Sequence, residues 1–173
     1  MVCARQLLLI DRSATAIERT RRRNVEHGAS GRLALETVDV ADFDPGTARF
    51  DKVFAVNVNV FWTTPATAEL ARIRTALERD GRLFLFYETP SAARARQAVG
   101  RVVDALRANG FAEPQLVSRS ATLVGCVAAP RGDSDGGRTR SSPVHSFDRP
   151  SRSLELRRHR RSPITPRVGV RVG

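Results

Sequence analysis

Lysine is nearly missing from this chain: of its 29 basic residues only Lys52 is a lysine. Arginine has GC-rich codons, so the skew fits a GC-rich genome and says little about partners. Cysteine is scarce too. Cys3 and Cys126 do not make a disulfide framework. Cys126 sits in the apolar run ATLVGCVAAP, where a free thiol behaves as a small buried hydrophobe. His27, His145 and His159 lack partners at metal-ligand spacing, which excludes a zinc motif. Ser118 and Ser120 lack the context of a nucleophile elbow. No apolar run approaches the roughly 20 residues needed to span a bilayer, and the N-terminus does not read as a signal peptide. A cytoplasmic protein is therefore expected, with no membrane partner.

What is present divides at Pro130. The chain has 173 residues and a net charge of +11. Residues 1–130 hold 18 basic and 14 acidic side chains; residues 131–173 hold 11 Arg and 4 acids. The excess charge thus belongs to the last quarter. That segment is rich in Gly, Ser, Pro and Arg, and cannot bury enough surface to offset its ordering entropy. The expected organisation is one α/β domain over 1–130 and a disordered tail over 131–173.

Within the domain, the apolar run Leu7–Ile10 suits a strand covered on both faces. Asp11 ends it, and Ser13 can cap a helix from Ala14 to about His27. Gly28 or Gly31 would stop that helix in a left-handed conformation. LALETVDV (33–40) reads as a second strand, and FDKVFAVNVNVFW (50–62) holds a third centred on VFAV. Thr63 or Thr64 can cap the next helix, with Pro65 at its first position and Gly81 beyond its end. Leu70, Ile73 and Leu77 would form its apolar stripe. A strand over 81–88 and a helix over 91–110 follow. Residues 114–120 and 121–130 make two strands with almost no connection, hence an antiparallel pair. The alternation implies a mostly parallel sheet with helices on its faces.

An acidic residue at a strand end can accept hydrogen bonds from the ribose hydroxyls of an adenosine cofactor. Taken alone, Asp11 serves that reading and a plain turn reading equally. The wider order is more specific. IDRSATAIERTRRRN, VDVADF, FDKVFAVNVNVFW, LERDGRLFLFYE and a helix ending in NGF, all within residues 7–130, resemble the class I S-adenosylmethionine-dependent methyltransferases. The resemblance implies a Rossmann-like sheet, mostly parallel with an antiparallel C-terminal strand pair, and S-adenosylmethionine as cofactor. It implies that Asp11, with Arg12 beside it, lies at the ribose. Asp39 and Val40 would contact adenine, with Asp42 and Phe43 as the less favoured match. Asn57 would lie toward the sulfonium. No catalytic residue is implied, and Phe61–Trp62 reads more simply as a helix-docking pair than as a wall for an apolar acceptor.

One part of the pattern is missing. The first strand and its glycine-rich loop normally lie about 20 residues before the ribose Asp, as in the related dinucleotide fold. Here ten residues precede Asp11, and MVCARQ contains no glycine. The expectation is a truncated sheet lacking its central first strand, so that two apolar strands lose a partner. Asp80 also stands where the family often has a second glycine. The fourth family strand lacks the Asn/Asp-Pro-Pro-aromatic motif of enzymes that methylate bases or glutamine, which favours a small-molecule methyl acceptor. The alternatives are an NAD-binding Rossmann fragment, or a non-catalytic protein whose tail, with RRHRR at 157–161, binds nucleic acid. Against the latter, the tail offers only Phe147 for base stacking.

Overall fold

A computed structural model describes residues 6–132. The tail beyond Gly132, and with it the expectations of disorder and of nucleic-acid binding, lies outside the described residues, as do Cys3, His145 and His159. The observed order is β1 (Leu7–Asp11), α1 (Ala14–Arg23), α2 (Val25–Ala29), β2 (Leu33–Thr37), β3 (Phe50–Val56) and α3 (Val60–Thr63). Then come α4 (Thr67–Ala76), β4 (Leu77–Glu88), α5 (Ala92–Ala108), β5 (Gln115–Ser118) and β6 (Leu123–Ala128).

The strands form two separate sheets. β1 pairs with β2 in parallel, Leu7 opposite Leu33 and Asp11 opposite Thr37. A four-stranded sheet has the order β3-β4-β6-β5. In it β3 and β4 are parallel, while β6 runs antiparallel to both β4 and β5. The expected parallel sheet with a closing antiparallel pair is there, and it is split where the first strand was expected to be missing. The two sheets share one core nonetheless. Ile10 from β1 and Val53, Leu83 and Leu85 from the larger sheet belong to the same buried cluster, with Leu8 packed against it.

Helices cover one face of the larger sheet. Leu70 and Ile73 of α4 and Val102 and Leu106 of α5 pack into the cluster that holds Val53, Ala55, Leu83, Leu85 and Cys126. The same spacing of three and four residues that predicts these stripes explains the helices. Val99 of α5 is only half-buried, and Ala95 and Ala98 are buried. The opposite face carries Phe54 and Phe84, cross-strand neighbours whose rings stack at 4.6 Å. Both rings are half-buried, and Val56 and Val117 beside them are exposed.

Several boundaries differ from the sequence reading. The first helix breaks at Asn24, whose side chain donates to the Thr20 carbonyl. β2 ends at Thr37 rather than residue 40, because Asp39 turns the chain by accepting from the Ala41 N–H. Ala66, not Thr63 or Thr64, precedes α4, and residues 60–63 form a helix of their own. Thr64 instead accepts from the Ala66 N–H and donates to the Val60 carbonyl. Leu77 lies in β4 and not on the α4 stripe: its backbone is extended and pairs with Phe50. The helix reading failed there because Leu77 is buried in either conformation, and the partner strand decides. Gly81 makes the early β4 segment possible, since an added Cβ would sit 2.9 Å from the carbonyl oxygens of Phe50 and Glu78. Two stops were legible. Gly31 and Gly110 both take left-handed φ, 68° and 81°.

Two glycines give opposite expectations. A Cβ on Gly125 would lie 2.5 Å from the Leu85 carbonyl oxygen and from the Phe86 ring. Gly125→Ala should destabilise the fold by about 1–3 kcal/mol through overpacking. Gly100, inside α5, has nothing within 4 Å. Gly100→Ala should stabilise by about 0.5–1 kcal/mol. Urea unfolding midpoints check both, and a neutral Gly125→Ala would refute the close packing of β4 on β6.

Candidate functional site at the strand ends

Three parallel-strand ends carry the candidate residues. β1 ends at Asp11, which is 95% shielded from solvent despite its charge. Its Oδ1 accepts from the Ser13 N–H at 2.7 Å. Ser13 in turn caps α1, accepting from the Ala16 N–H at 3.2 Å. The carboxylate therefore fixes the turn between β1 and α1, so the turn role of Asp11 is realised. Asp11 also lines a cavity of about 420 Å³ under α1, together with Leu7, Leu9, Ala16 and Arg19.

The next residues meet elsewhere. Arg12, Asp39, Val40 and Asn57 line one cavity of about 250 Å³, with Val58, Asn59, Val60 and Glu69. Four of the five residues singled out in the sequence are brought together, and Asp11 adjoins them through Arg12. Val40 is buried and Asp39 half-buried, while Arg12 and Asn57 are exposed. The less favoured pair is excluded from this cavity: Phe43 is buried in the core.

Asn57 has the most constrained backbone of the set. Its φ is 58°, in the left-handed region that Asn tolerates better than most residues. Its N–H donates to the Phe86 carbonyl at 2.8 Å, continuing the β3–β4 ladder. Its side-chain Oδ1 accepts from the Glu88 N–H at 2.8 Å. The side chain thus ties the ends of β3 and β4 together and holds the 57–60 loop over the cavity. Behind that loop, buried Tyr87 donates its hydroxyl to the Val58 carbonyl at 3.2 Å. Burial raises the phenol pKa well above its usual value.

Sequence reasoning missed Glu69, Val58, Asn59 and Val60. Glu69 had a signal, an acid in the first turn of a helix, but that pattern usually serves the helix dipole. The aromatic pair docks as expected. Phe61 is buried in the core. Trp62 donates from Nε1 to Asn59 Oδ1 at 3.2 Å, and the Arg94 guanidinium lies over its ring at 5.8 Å. Cys126 is buried, and desolvation pushes its thiol up to about 12. Among the described residues no group of His, Cys, Asp or Glu could hold a metal ion, and no helix is long and apolar enough to cross a membrane.

Replacing Asn57 separates its two roles. Asn57→Gly keeps the left-handed backbone and loses the bond to Glu88, so it should cost about 1 kcal/mol. Asn57→Val loses both and should cost about 2–4 kcal/mol, since a β-branched residue is strained at this φ. Equal costs in urea unfolding would contradict the strain assignment. Cys126 should resist alkylation at pH 8 in a Cys3→Ser background and react only in denaturant.

No protein-family model and no curated protein matches the sequence. Solved structures do match. NodS, an N-methyltransferase from Bradyrhizobium japonicum WM9 solved with S-adenosylhomocysteine, has a TM-score of 0.55 and 17% identity over 72% of this chain and 66% of its own. SibL, an S-adenosylmethionine-dependent methyltransferase, has a TM-score of 0.57 and 18% identity over 73% of this chain and 44% of its own. The pyocyanin biosynthetic protein PhzM has a TM-score of 0.54 and 18% identity over 75% of this chain and 52% of its own. The chain spans about half the length of several of the solved structures it matches. On the topology of its strands and these similarities, the described part of the chain has the fold of the class I S-adenosylmethionine-dependent methyltransferases.

Proposed function

We propose that this chain binds the nucleoside part of S-adenosylmethionine at the ends of β1, β2 and β3, in support of methyl transfer to a small-molecule acceptor. One observation carries the reading. Residues following three successive strands, each parallel to its partner in its own sheet, line a single cavity: Arg12, Asp39, Val40 and Asn57. Open α/β sheets bind ligands outside the carboxyl ends of their strands.

The residues fit one half of the cofactor. A carboxylate accepts from two hydroxyls, as a ribose requires, and Asp11 and Asp39 supply carboxylates at adjoining turns. Buried Val40 offers an apolar wall for a purine. A cavity of about 250 Å³ is below the roughly 300–1,000 Å³ of complete small-molecule sites, which suits the adenosine end alone. Among the described residues no glycine-rich loop stands ready to receive the amino-acid end. When bound, S-adenosylmethionine supplies an electrophilic methyl group. The work left to this chain is positioning: Asp39 and Val40 fix the base, Asp11 the sugar, and Asn57 the loop beside them. Orientation at near-attack distance is most of what such a transfer needs. The NAD-binding reading is less well supported, since two of the solved neighbours named above, NodS and SibL, are methyltransferases.

Calorimetry with S-adenosylhomocysteine, and NADH as control, tests the reading. Micromolar binding of the former alone is expected. Asp39→Ala should weaken it at least tenfold and Asp11→Ala to below detection. Binding of NADH instead, or an unchanged dissociation constant in both variants, would overturn the assignment.

A further inference from the structure

The cavity at the strand ends has a third wall. Two walls are the Asp39 turn after β2 and the 57–60 loop after β3, and Glu69 of α4 supplies the other. Glu69 stands in the first turn of α4, where an acid suits the helix dipole whatever lies before it. Its surroundings give it more to do. Leu70 beside it and Ile73 one turn on are buried in the core, which fixes the rotation of the helix. Three residues beyond Glu69, Arg72 Nε donates to the Ala41 carbonyl at 3.2 Å. Helix residues three apart share a face. So α4 holds the Asp39 turn with one side chain and lines the cavity with another.

The charges around this cavity do not balance. Its lining carries two carboxylates, Asp39 and Glu69, against one guanidinium, Arg12. Arg12 is exposed, while both carboxylates are half-buried. Partly buried charges are screened less by salt and water than exposed ones. The field in the cavity is therefore net negative. Asp39 already accepts from the Ala41 N–H. Among the described residues Glu69 enters none of the ion pairs.

S-adenosylmethionine and S-adenosylhomocysteine share their nucleoside and their amino acid. They differ by one methyl group and the positive charge of the sulfonium. Hydrogen bonds to the sugar and packing on the base serve both alike, and a negative wall does not. We propose that Glu69 is a specificity determinant that makes this site prefer the sulfonium cofactor over its thioether product. The proposal rests on the cofactor reading above and deepens it. Opposite charges attract over several ångströms, so Glu69 needs no direct bond to the ligand. The preference bears on turnover, because a site that held both forms alike would stay occupied by its own product.

Calorimetry of the full chain with both compounds tests it, and the readout is the ratio of the two dissociation constants. Glu69→Gln keeps the size and removes the charge. It should raise the S-adenosylmethionine constant about three- to tenfold and the S-adenosylhomocysteine constant by less than about twofold. Glu69→Asp keeps the charge and should keep most of the ratio. Glu26→Gln removes an exposed charge from α2, outside the cavity lining, and should leave both constants unchanged. Added salt should shrink the ratio in the unsubstituted chain and not in Glu69→Gln. Equal weakening of both ligands in Glu69→Gln would mean a packing role and overturn the proposal. An unchanged ratio, or the same shift in Glu26→Gln, would do so too. If the unsubstituted chain binds neither compound, the cofactor reading falls and this proposal with it. If it binds both and only the ratio fails to move, this proposal falls alone.

Discussion

Each interior strand of a parallel sheet uses two rows of backbone groups, one for each neighbour. Among the described residues β1 and β3 use one row each, and that division shapes what lies around them. Within those residues β1 pairs only with β2, and β3 only with β4. Side-chain burial does not follow the pairing: Ile10, Val53 and Ala55 are as buried as a continuous sheet would make them. Among the described residues the two sheets are therefore held across the division by apolar packing and by Arg72 Nε of α4 donating to the Ala41 carbonyl at 3.2 Å, with no ladder to fix register there. Hydrophobic attraction is non-directional. It can hold the two sheets together without setting how far apart or at what angle their edges lie.

The site lies across the same division. Arg12, Asp39 and Val40 follow strands of the smaller sheet, and Asn57, Val58, Asn59 and Val60 follow β3 of the larger one. On the larger side the loop is rigidly anchored. Asn57 is fixed by its bonds to Phe86 and Glu88, and Val58 by the Tyr87 hydroxyl. On the smaller side Asp11 and Asp39 each stabilise their own turn by accepting a backbone N–H two residues on. Each half is well ordered locally. What joins the halves is weaker than what builds them.

Much of this was readable in the sequence, for identifiable reasons. Strands β1, β3 and β6 are apolar runs bounded by turn residues, and α5 carries a regular stripe ending at Gly110, so local pattern and tertiary role agree. The junction of α4 and β4 was not readable. Leu77 continues a helical stripe perfectly well, and only its pairing with Phe50, 27 positions earlier in the chain, makes it a strand residue. Of the site, the carboxylates and Asn57 were legible because polar residues directly after apolar strands stand out. Glu69 and the backbone of 58–60 were not, since a helix-first-turn acid and a short apolar loop have common structural explanations. The role of Asp11 was legible only as a choice between turn and ligand. The geometry realises the turn and leaves the ligand to be measured.

A ligand in the cavity would be a cross-link between the two sheets. Contacts to Asp39 and Val40 on one side and to the 57–60 loop on the other would fix a distance that no backbone bond among the described residues fixes. Binding to the closed arrangement alone stabilises it by about 2.7 kcal/mol when ligand exceeds its dissociation constant a hundredfold. Affinity would in turn be reduced by any fraction of molecules in which the two sheets stand apart. On the proposed reading, cofactor affinity and the order of β1 against β3 would thus be one coupled quantity.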